Sequence, residues 1–322
     1  MAAPDSLASF LARHLAERPV RAWSFVVTVY GDAVAARGGS LWLGSLLPIT
    51  AAAGIGDGVV RTALSRLAAD GWIARTRIGR HGYHRLSARG RDEFLAATRR
   101  LYFEGYRPWA GTWRVVLLED TERGRNGARG ELERQGLAAF AGNVLLRPLA
   151  VGEAAPSPAA GVLLELTARG DDGDAARALA ARLWPLAALA ASYGDFIERF
   201  EPLARALEAG HGSDRLAALV VRILLIHDDR RIFLCDPLLP AELLPEGWPG
   251  IGARRLCARL YAALRAPAEL WLDEHGRNET GPLPPPDASF ARRFGDVSEP
   301  AAATEPGRRP AVPALQRKGD AR

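Results

Sequence analysis

The sequence contains very little cysteine and methionine. Of its 322 residues, 2 are Cys and 1 is Met. Cys235 and Cys257 form no CxxC pair and have no histidine at ligand spacing, so neither a disulfide framework nor a zinc site is indicated. We therefore expect two small buried thiols, no metal and no cofactor.

Long hydrophobic runs are also missing. A bilayer span needs about 20 consecutive apolar residues, and no run in this chain approaches that length, although 48% of the residues are hydrophobic. Residues 1–21 do not combine a basic start with an uninterrupted apolar stretch, as a secretory signal does. These absences predict a soluble, cytoplasmic protein without a membrane partner, and the length predicts two or three domains.

Patterns typical of catalysis are equally scarce. The sequence has no glycine-rich phosphate loop, Ser45 is not part of a nucleophile elbow, and the few histidines have no paired base. Glu119 and Asp120 follow a predicted strand, where a nuclease could hold a metal. Two adjacent acids are usually a solvated turn and a poor site for a hard cation. We expect a protein that is not an enzyme and has no catalytic residue.

Positive charge is concentrated in the N-terminal third. Residues 1–109 contain 15 Arg against 8 Asp or Glu, a balance of +7, whereas the remainder contains 27 basic and 29 acidic residues, a balance of −2. Lys318 is the single lysine. Such a field suits neutralisation of phosphates and steering toward nucleic acid, although it gives no sequence specificity.

Residues 57–91 carry the most informative pattern in the chain. The hydrophobic spacing predicts a helix over 57–70 that begins with Asp57 as its N-cap. Its predicted core-facing residues are Val60, Leu64 and Leu67. A β-hairpin follows, with strands at 72–77 and 83–86 and a turn at 78–82. The segments that would complete a winged helix-turn-helix are a buried helix over 20–35, a short strand at 41–43 and a second helix closed by Gly54.

The polar residues of this region predict contact with DNA. A helix that reads the major groove presents polar or arginine side chains on one face while its other face packs on a core. The hairpin contains no acidic residue, so it suits contact with phosphates or with the minor groove. The predicted DNA-contacting residues are Arg61, Thr62, Ser65 and Arg66 of the helix and Arg75, Arg77, Arg80, His81 and Arg85 of the wing, with His84 as a further candidate donor.

The rest of the chain predicts three further parts. After Arg107-Pro108-Trp109, the order strand, helix, strand, strand, helix predicts a compact ferredoxin-like unit. Long amphipathic segments then predict helices, and the Pro, Gly, Ala and charge from about Asn278 onward predict disorder. We therefore expect an α+β chain. Its predicted parts are a winged-helix domain over 1–106, a ferredoxin-like domain over 107–184, a mainly helical domain over 185–277 and a disordered tail over 278–322.

Six runs of sequence carry a family resemblance. They are SFVVTVYGDAVAARGGSLWLGSL from Ser24, VVRTALSRLAADGWIARTRIGRHGYHRLSARG from Val59, YRPW from Tyr106, WRVV from Trp113, FLCDPLLP from Phe233 and LPEGWPG from Leu244. Together they resemble the PaaX family of bacterial phenylacetic acid degradation repressors, over about residues 20–275. The resemblance implies a homodimer on double-stranded operator DNA, a Cas2-like middle domain, and release of the operator by an aryl-acetyl-CoA such as phenylacetyl-CoA.

No short family motif defines the effector pocket. An acyl-CoA site needs cations for the phosphates and an apolar slot for the acyl group. The candidate effector-binding residues are Arg222, Arg230, Arg231, Phe233, Trp248, Arg254, Arg255 and Tyr261, although each of them can also be an ordinary surface arginine or core aromatic. The alternative function is a winged-helix interaction or acyl-CoA-sensing module without specific DNA contact.

Overall fold

A computed structural model of the protein describes residues 6–119, 128–153, 161–170, 173–210 and 214–295. The N-terminal part contains helices and a three-stranded antiparallel sheet of order β1-β3-β2. Its elements are α1 (Leu7–Glu17), α2 (Ala22–Val29), a π-helical turn (Tyr30–Val34) and a 3-10 turn (Ala35–Arg37) that continue α2, β1 (Ser40–Trp42), α3 (Leu43–Ala52), α4 (Asp57–Ala69), β2 (Ile73–Ile78), β3 (His81–Leu86) and α5 (Ala88–Phe103).

The predicted winged helix-turn-helix is confirmed, with two differences in detail. The N-cap of α4 is Gly56 and not Asp57. Asp57 lies in the first turn, where its negative carboxylate interacts favourably with the positive end of the helix dipole. The hairpin is longer and its turn tighter than predicted, because Ile78 pairs with His81 and only Gly79-Arg80 lie between them. Gly79 has a φ of 58°, which a two-residue hairpin turn requires.

The middle part is built on a four-stranded antiparallel sheet of order β5-β6-β4-β7. Because β6 lies between β4 and β5, the two strands that α6 connects, the sheet has the split β-α-β arrangement of a ferredoxin-like unit. The sequence did not predict β5, since AAFA has no β-branched residue. The elements are β4 (Trp109–Leu118), α6 (Arg129–Arg134), β5 (Ala138–Ala141), β6 (Val144–Ala150), β7 (Val162–Arg169) and α7 (Gly173–Leu183).

Long helices dominate the C-terminal part. They are α8 (Leu186–Glu208), α9 (Arg215–Phe233) and α10 (Pro249–His275). α9 is buried on all sides from Ala217 to Asp229 and packs against α1, α2, α3, α8 and α10. Within the described ranges, no helix has the length and apolar character needed to span a membrane.

Apolar contacts cross the predicted domain boundaries. Leu219, Ile223 and Leu224 of α9 belong to the same core as Phe25 and Val60 of the winged helix. In addition, α1, which the sequence did not predict, packs its Phe10 against Phe200 of α8, with ring centroids 5.4 Å apart. These shared cores do not divide the chain at 106/107 or at 184/185, so the predicted domain boundaries stay a prediction.

The prediction of disorder from Asn278 onward is wrong for residues 278–295. This segment, which we call the strap (278–295), completes a small hairpin of β8 (Arg277–Asn278) and β9 (Gly281–Pro282) and ends in α11 (Ala288–Ala291). Leu283, Phe290, Arg293 and Phe294 are buried. Residues 296–322 lie outside the described part of the chain.

A buried carboxylate joins the winged helix to the C-terminal part. Asp32, on the π-helical turn, accepts hydrogen bonds at Oδ1 from the hydroxyls of Tyr102 (2.8 Å) and Tyr261 (2.9 Å). Its Oδ2 accepts from Arg222 Nε at 2.8 Å. Arg293 Nη1 donates to the Asp32 backbone carbonyl at 2.7 Å and to Oδ1 at 3.1 Å. All five side chains are buried, and two interior guanidinium groups share the Asp32 carboxylate.

Glu269 extends this charge cluster along α10. It accepts from Arg222 Nη1 at 2.6 Å and from Arg37 Nε at 2.9 Å, and Arg37 Nη1 also lies 2.8 Å from Asp273 Oδ1. Burial opposes the charge on Arg222, but Asp32 and Glu269 outweigh that cost and raise its pKa. The cluster therefore ties α2, α9, α10 and the strap together.

Replacing Asp32 by Asn should destabilise the protein strongly. Asp32→Asn removes the carboxylate that Arg293 contacts and one of the two that Arg222 contacts, so we expect a loss of about 3–5 kcal/mol in the free energy of unfolding, measured in urea. Asp195→Asn is the matched control, because Asp195 pairs with Arg18 on the exposed surface. Its loss should be below about 1 kcal/mol. Equal, small losses in both variants would contradict the role given to Asp32.

Candidate nucleic-acid interface

Helix α4 has one buried apolar side and one exposed polar face. Val60, Leu64 and Leu67 are buried in the core that the winged helix shares with α9. The residues predicted to contact DNA from this helix, Arg61, Thr62, Ser65 and Arg66, are all exposed. Helix α4 therefore meets both conditions for a helix that enters the major groove.

Hydrogen bonds connect α4, the wing and α5 at their junction. Trp72 N donates to Leu67 O at 2.9 Å, and Ser87 Oγ donates to Gly71 O at 2.6 Å while accepting from Gly90 N at 2.9 Å. A Cβ at Gly90 would overlap the carbonyl oxygen of Trp72, so only glycine allows α5 to start this close to the wing. The angle between α4 and the wing is thus set by short hydrogen bonds.

The wing has two faces, which follow from its register. Arg75 lies opposite His84, and Arg77 lies opposite Gly82. Side chains alternate along a strand, so Arg75 and Arg77 share the face of Ile73, which is buried in the same core as the apolar side of α4. We call this the inner face of the wing; it continues the surface of α4.

His84 connects the inner face with α4. Its ring is buried, and burial, together with the charges of Arg75 and Arg61, lowers its pKa to about 4. His84 is therefore neutral near pH 7 and keeps one N–H donor, and its contact with DNA stays a prediction. Because both arginines act on the same ring, Arg61 of the helix and Arg75 of the wing belong to one positive surface.

The other face of the wing is turned toward the strap. Arg85 Nη2 lies 3.2 Å from Glu279 Oε2, which also accepts from Ser40 Oγ at 2.7 Å. His81 is in edge contact with Trp42, with ring centroids 5.3 Å apart. Arg80 is exposed in the turn at the tip. The structure thus brings most of the predicted residues onto one surface, and places Arg85 and His81 on the opposite side of the hairpin.

Sequence reasoning missed two exposed apolar residues, one on α4 and one on the face of the wing that carries His81. Val59 lies in the first turn of α4, and Ile78 lies beside the wing tip; both are exposed. Apolar residues in a periodic pattern are normally assigned to the core, so only the burial of each position reveals them. A wing can insert such a side chain into the minor groove.

The candidate effector residues do not form one group. Arg222 belongs to the Asp32 cluster, while Arg254 Nη1 lies 3.2 Å from Asp229 Oδ2 and its guanidinium group is 3.9 Å from the centre of the Phe233 ring. Trp248 Nε1 donates to the Tyr106 hydroxyl at 2.8 Å, and Tyr261 contacts Asp32. These side chains are buried in the core, so they hold the fold together.

The remaining candidate arginines lie nearer to the surface. Arg231 and Arg255 are exposed, and the half-buried Arg230 donates to Ser24 Oγ at 2.6 Å. Cys257 is buried as expected, whereas Cys235 is exposed. Among the described residues, no cluster of His, Cys, Asp or Glu could hold a metal ion; Asp120 of the Glu119-Asp120 pair lies outside them.

The two faces of the wing should differ in their effect on DNA binding. Arg75→Ala removes a cation from the inner face, so we expect weaker binding to all sequences and a fall of about 0.9 in the slope of log K against log salt, as for one lost phosphate contact. Arg85→Ala is the control, because Arg85 lies one register position away on the other face. Equal changes in slope for the two variants, measured by fluorescence anisotropy, would contradict this division.

Comparison with known proteins gives matches along most of the chain. A family model described as PaaX-like protein matches residues 21–90, and one described as PaaX-like protein C-terminal domain matches residues 184–274. The transcriptional repressor PaaX of Escherichia coli is 32% identical over 311 residues, covering 91% of this chain and 96% of that protein. The solved structure of the uncharacterized protein Rv0674 from Mycobacterium tuberculosis is 26% identical, with a TM-score of 0.49, and the match covers 70% of this chain and 89% of that one.

Proposed function

Because the chain belongs to the PaaX family, we propose that it is a transcriptional repressor that binds double-stranded operator DNA. In this proposal α4 lies in the major groove and the inner face of the wing follows the phosphate backbone. The observation that carries it is the continuous surface of exposed arginines from α4 to the wing, fixed on a buried core. An enzymatic role has no such support. The target operon is proposed to serve aromatic catabolism of the phenylacetate type, as the resemblance implies.

We further propose that the repressor acts as a homodimer. One recognition helix reads too few base pairs for genomic specificity, and two half-sites multiply it. Strand β7 supports the proposal, because among the described residues nothing pairs with its outer edge and Leu163, Leu164 and Leu166 are exposed on it. An exposed apolar edge strand is a ready surface for pairing with a second chain. The dimer would then place two winged helices on one operator.

The arginines of α4 should carry sequence specificity. In the double variant Arg61→Ala, Arg66→Ala we expect specific binding to weaken by about 1–3 kcal/mol for each lost bidentate contact with a base. Fluorescence anisotropy on the protein's own promoter DNA and on scrambled DNA measures this loss. Arg205→Ala, an exposed arginine on α8, is the control. Unchanged operator affinity in a folded double variant would contradict the placement of α4.

We also propose an aryl-acetyl-CoA effector, such as phenylacetyl-CoA, that binds the C-terminal part and releases the operator. Arg231 and Arg255 are the candidate phosphate contacts, because they are the cations of the predicted set that are exposed. The apolar core that α9 shares with the winged helix offers a direct path from such a site to α4. A ligand can shift the protein only by binding one arrangement more tightly than the other.

Calorimetry with phenylacetyl-CoA, CoA and phenylacetate tests the effector. We expect the thioester to bind more tightly than either fragment, because the site holds both the phosphates and the aryl group. Replacing Arg231 and Arg255 by Ala should weaken binding by about 1.5–3 kcal/mol for each lost contact to a charged phosphate. Equal affinity for the thioester and for CoA would contradict an aryl-acyl pocket.

The alternative is a winged-helix module that binds a protein or an acyl-CoA without specific DNA contact. It predicts DNA binding that depends on salt and shows no preference between promoter and scrambled sequences.

A further inference from the structure

Val59 is an apolar side chain in the part of α4 that would lie deepest in the groove. It belongs to the first turn of the helix, and its side chain is 57% exposed. Single exposed apolar residues are ordinary on protein surfaces. Val59, however, shares its stretch of surface with Thr62, three positions along the helix, and with the flanking Arg61 and Arg66. The exposed Val59 side chain therefore lies among the side chains that are proposed to contact bases.

Thr62 adds a second methyl group at this place. Its Oγ1 donates to Gly58 O at 3.0 Å, so the hydroxyl proton is used within the helix itself. A threonine hydroxyl has a single proton to donate. The groups that Thr62 can still offer a partner are therefore its methyl group and the lone pairs of its oxygen.

Gly58, in the same turn, has no side chain, although no contact within the protein requires glycine there. A Cβ built at Gly58 meets no atom within 4 Å, and the backbone there is helical with no positive φ. Glycine in a helix is less stable than alanine, and one use of the missing side chain is close approach of the backbone to a ligand. Gly58 thus leaves open space beside Val59 at the first turn of α4.

We propose that the first turn of α4 recognises thymine. Val59 and Thr62 would pack their methyl groups against the C5 methyl groups of thymines, and Gly58 would give the clearance that this contact needs. In the major groove thymine alone among the bases presents a methyl group, and the first residues of a recognition helix are those that contact base edges. The proposal rests on the proposed function, in that α4 must enter the major groove.

Replacing thymidine by 2′-deoxyuridine tests this contact, because the two nucleosides differ by the C5 methyl group alone. Each thymine in the footprint of the full-length protein on its own promoter is replaced in turn, and affinity is measured by fluorescence anisotropy. For the wild type we expect a loss of about fourfold at one or more positions, which corresponds to the ~0.8 kcal/mol of one buried methyl group.

The variants assign the contact to residues. Val59→Ala should lose about fourfold on the thymine operator, and should then show no further loss at the deoxyuridine position that affects the wild type. Thr62→Ser keeps the hydroxyl and should behave in the same way at its own position. Val151→Ala, another exposed valine (53%) in the middle part, is the matched control and should leave both affinities unchanged.

The variant Gly58→Ala distinguishes an effect on DNA binding from an effect on folding. It should leave the thermal stability equal or higher, since the new methyl group meets nothing in the protein, while operator affinity falls. Tolerance of deoxyuridine at every position by the wild type would overturn the proposal, as would full sensitivity to deoxyuridine in both Val59→Ala and Thr62→Ser. A wild type that does not distinguish promoter from scrambled DNA would instead remove the proposed function itself.

Discussion

The buried charge of Asp32 is the interaction on which the arrangement of this protein depends. An ionised carboxylate in an interior is costly unless good geometry and several hydrogen bonds compensate it. Asp32 obtains its partners from α5, α9, α10 and the strap, so the compensation exists only when all four pack against the winged helix at once. The carboxylate therefore requires one relative placement of these elements.

This placement packs the winged helix directly against the C-terminal helices. Residues of α9 lie in the same core as Val60 and Leu64 of α4, so the two parts are joined by packed side chains as well as by the chain itself. Glu279 of the strap adds a contact to Arg85, on the face of the wing opposite the inner face. A change in α9 or α10 would thus reach α4 through packed side chains, and an effector would need to bind more tightly to the arrangement in which these contacts have shifted.

The recognition helix and the wing could be predicted from the sequence because their signals are local. The spacing of Val60, Leu64 and Leu67, and the glycines and arginines of the hairpin, specify helix, turn and strands within a few residues of themselves. The exposed positions on α4 follow from the same periodicity. Val59 lies on the same face as Thr62 and Arg66 but was not identified, because an apolar residue in a periodic pattern is normally assigned to the core.

The errors arose where partners are distant in sequence. Arg222 has the composition of a phosphate-binding residue, but its counter-charge, Asp32, lies 190 positions away. The strap has the Pro-rich composition of a disordered tail, yet Arg293 and two phenylalanines dock it into the core. Composition averages over a segment, whereas these contacts depend on single side chains that meet only after folding.

Fluorescence anisotropy of the full-length protein on its own upstream promoter DNA, compared with scrambled DNA and with and without phenylacetyl-CoA at two salt concentrations, tests whether the protein is a repressor that an effector releases. We expect binding that prefers the promoter at both salt concentrations and is abolished by the thioester. Binding that is equal on scrambled DNA and disappears with salt would contradict it, and would leave only a basic winged-helix module.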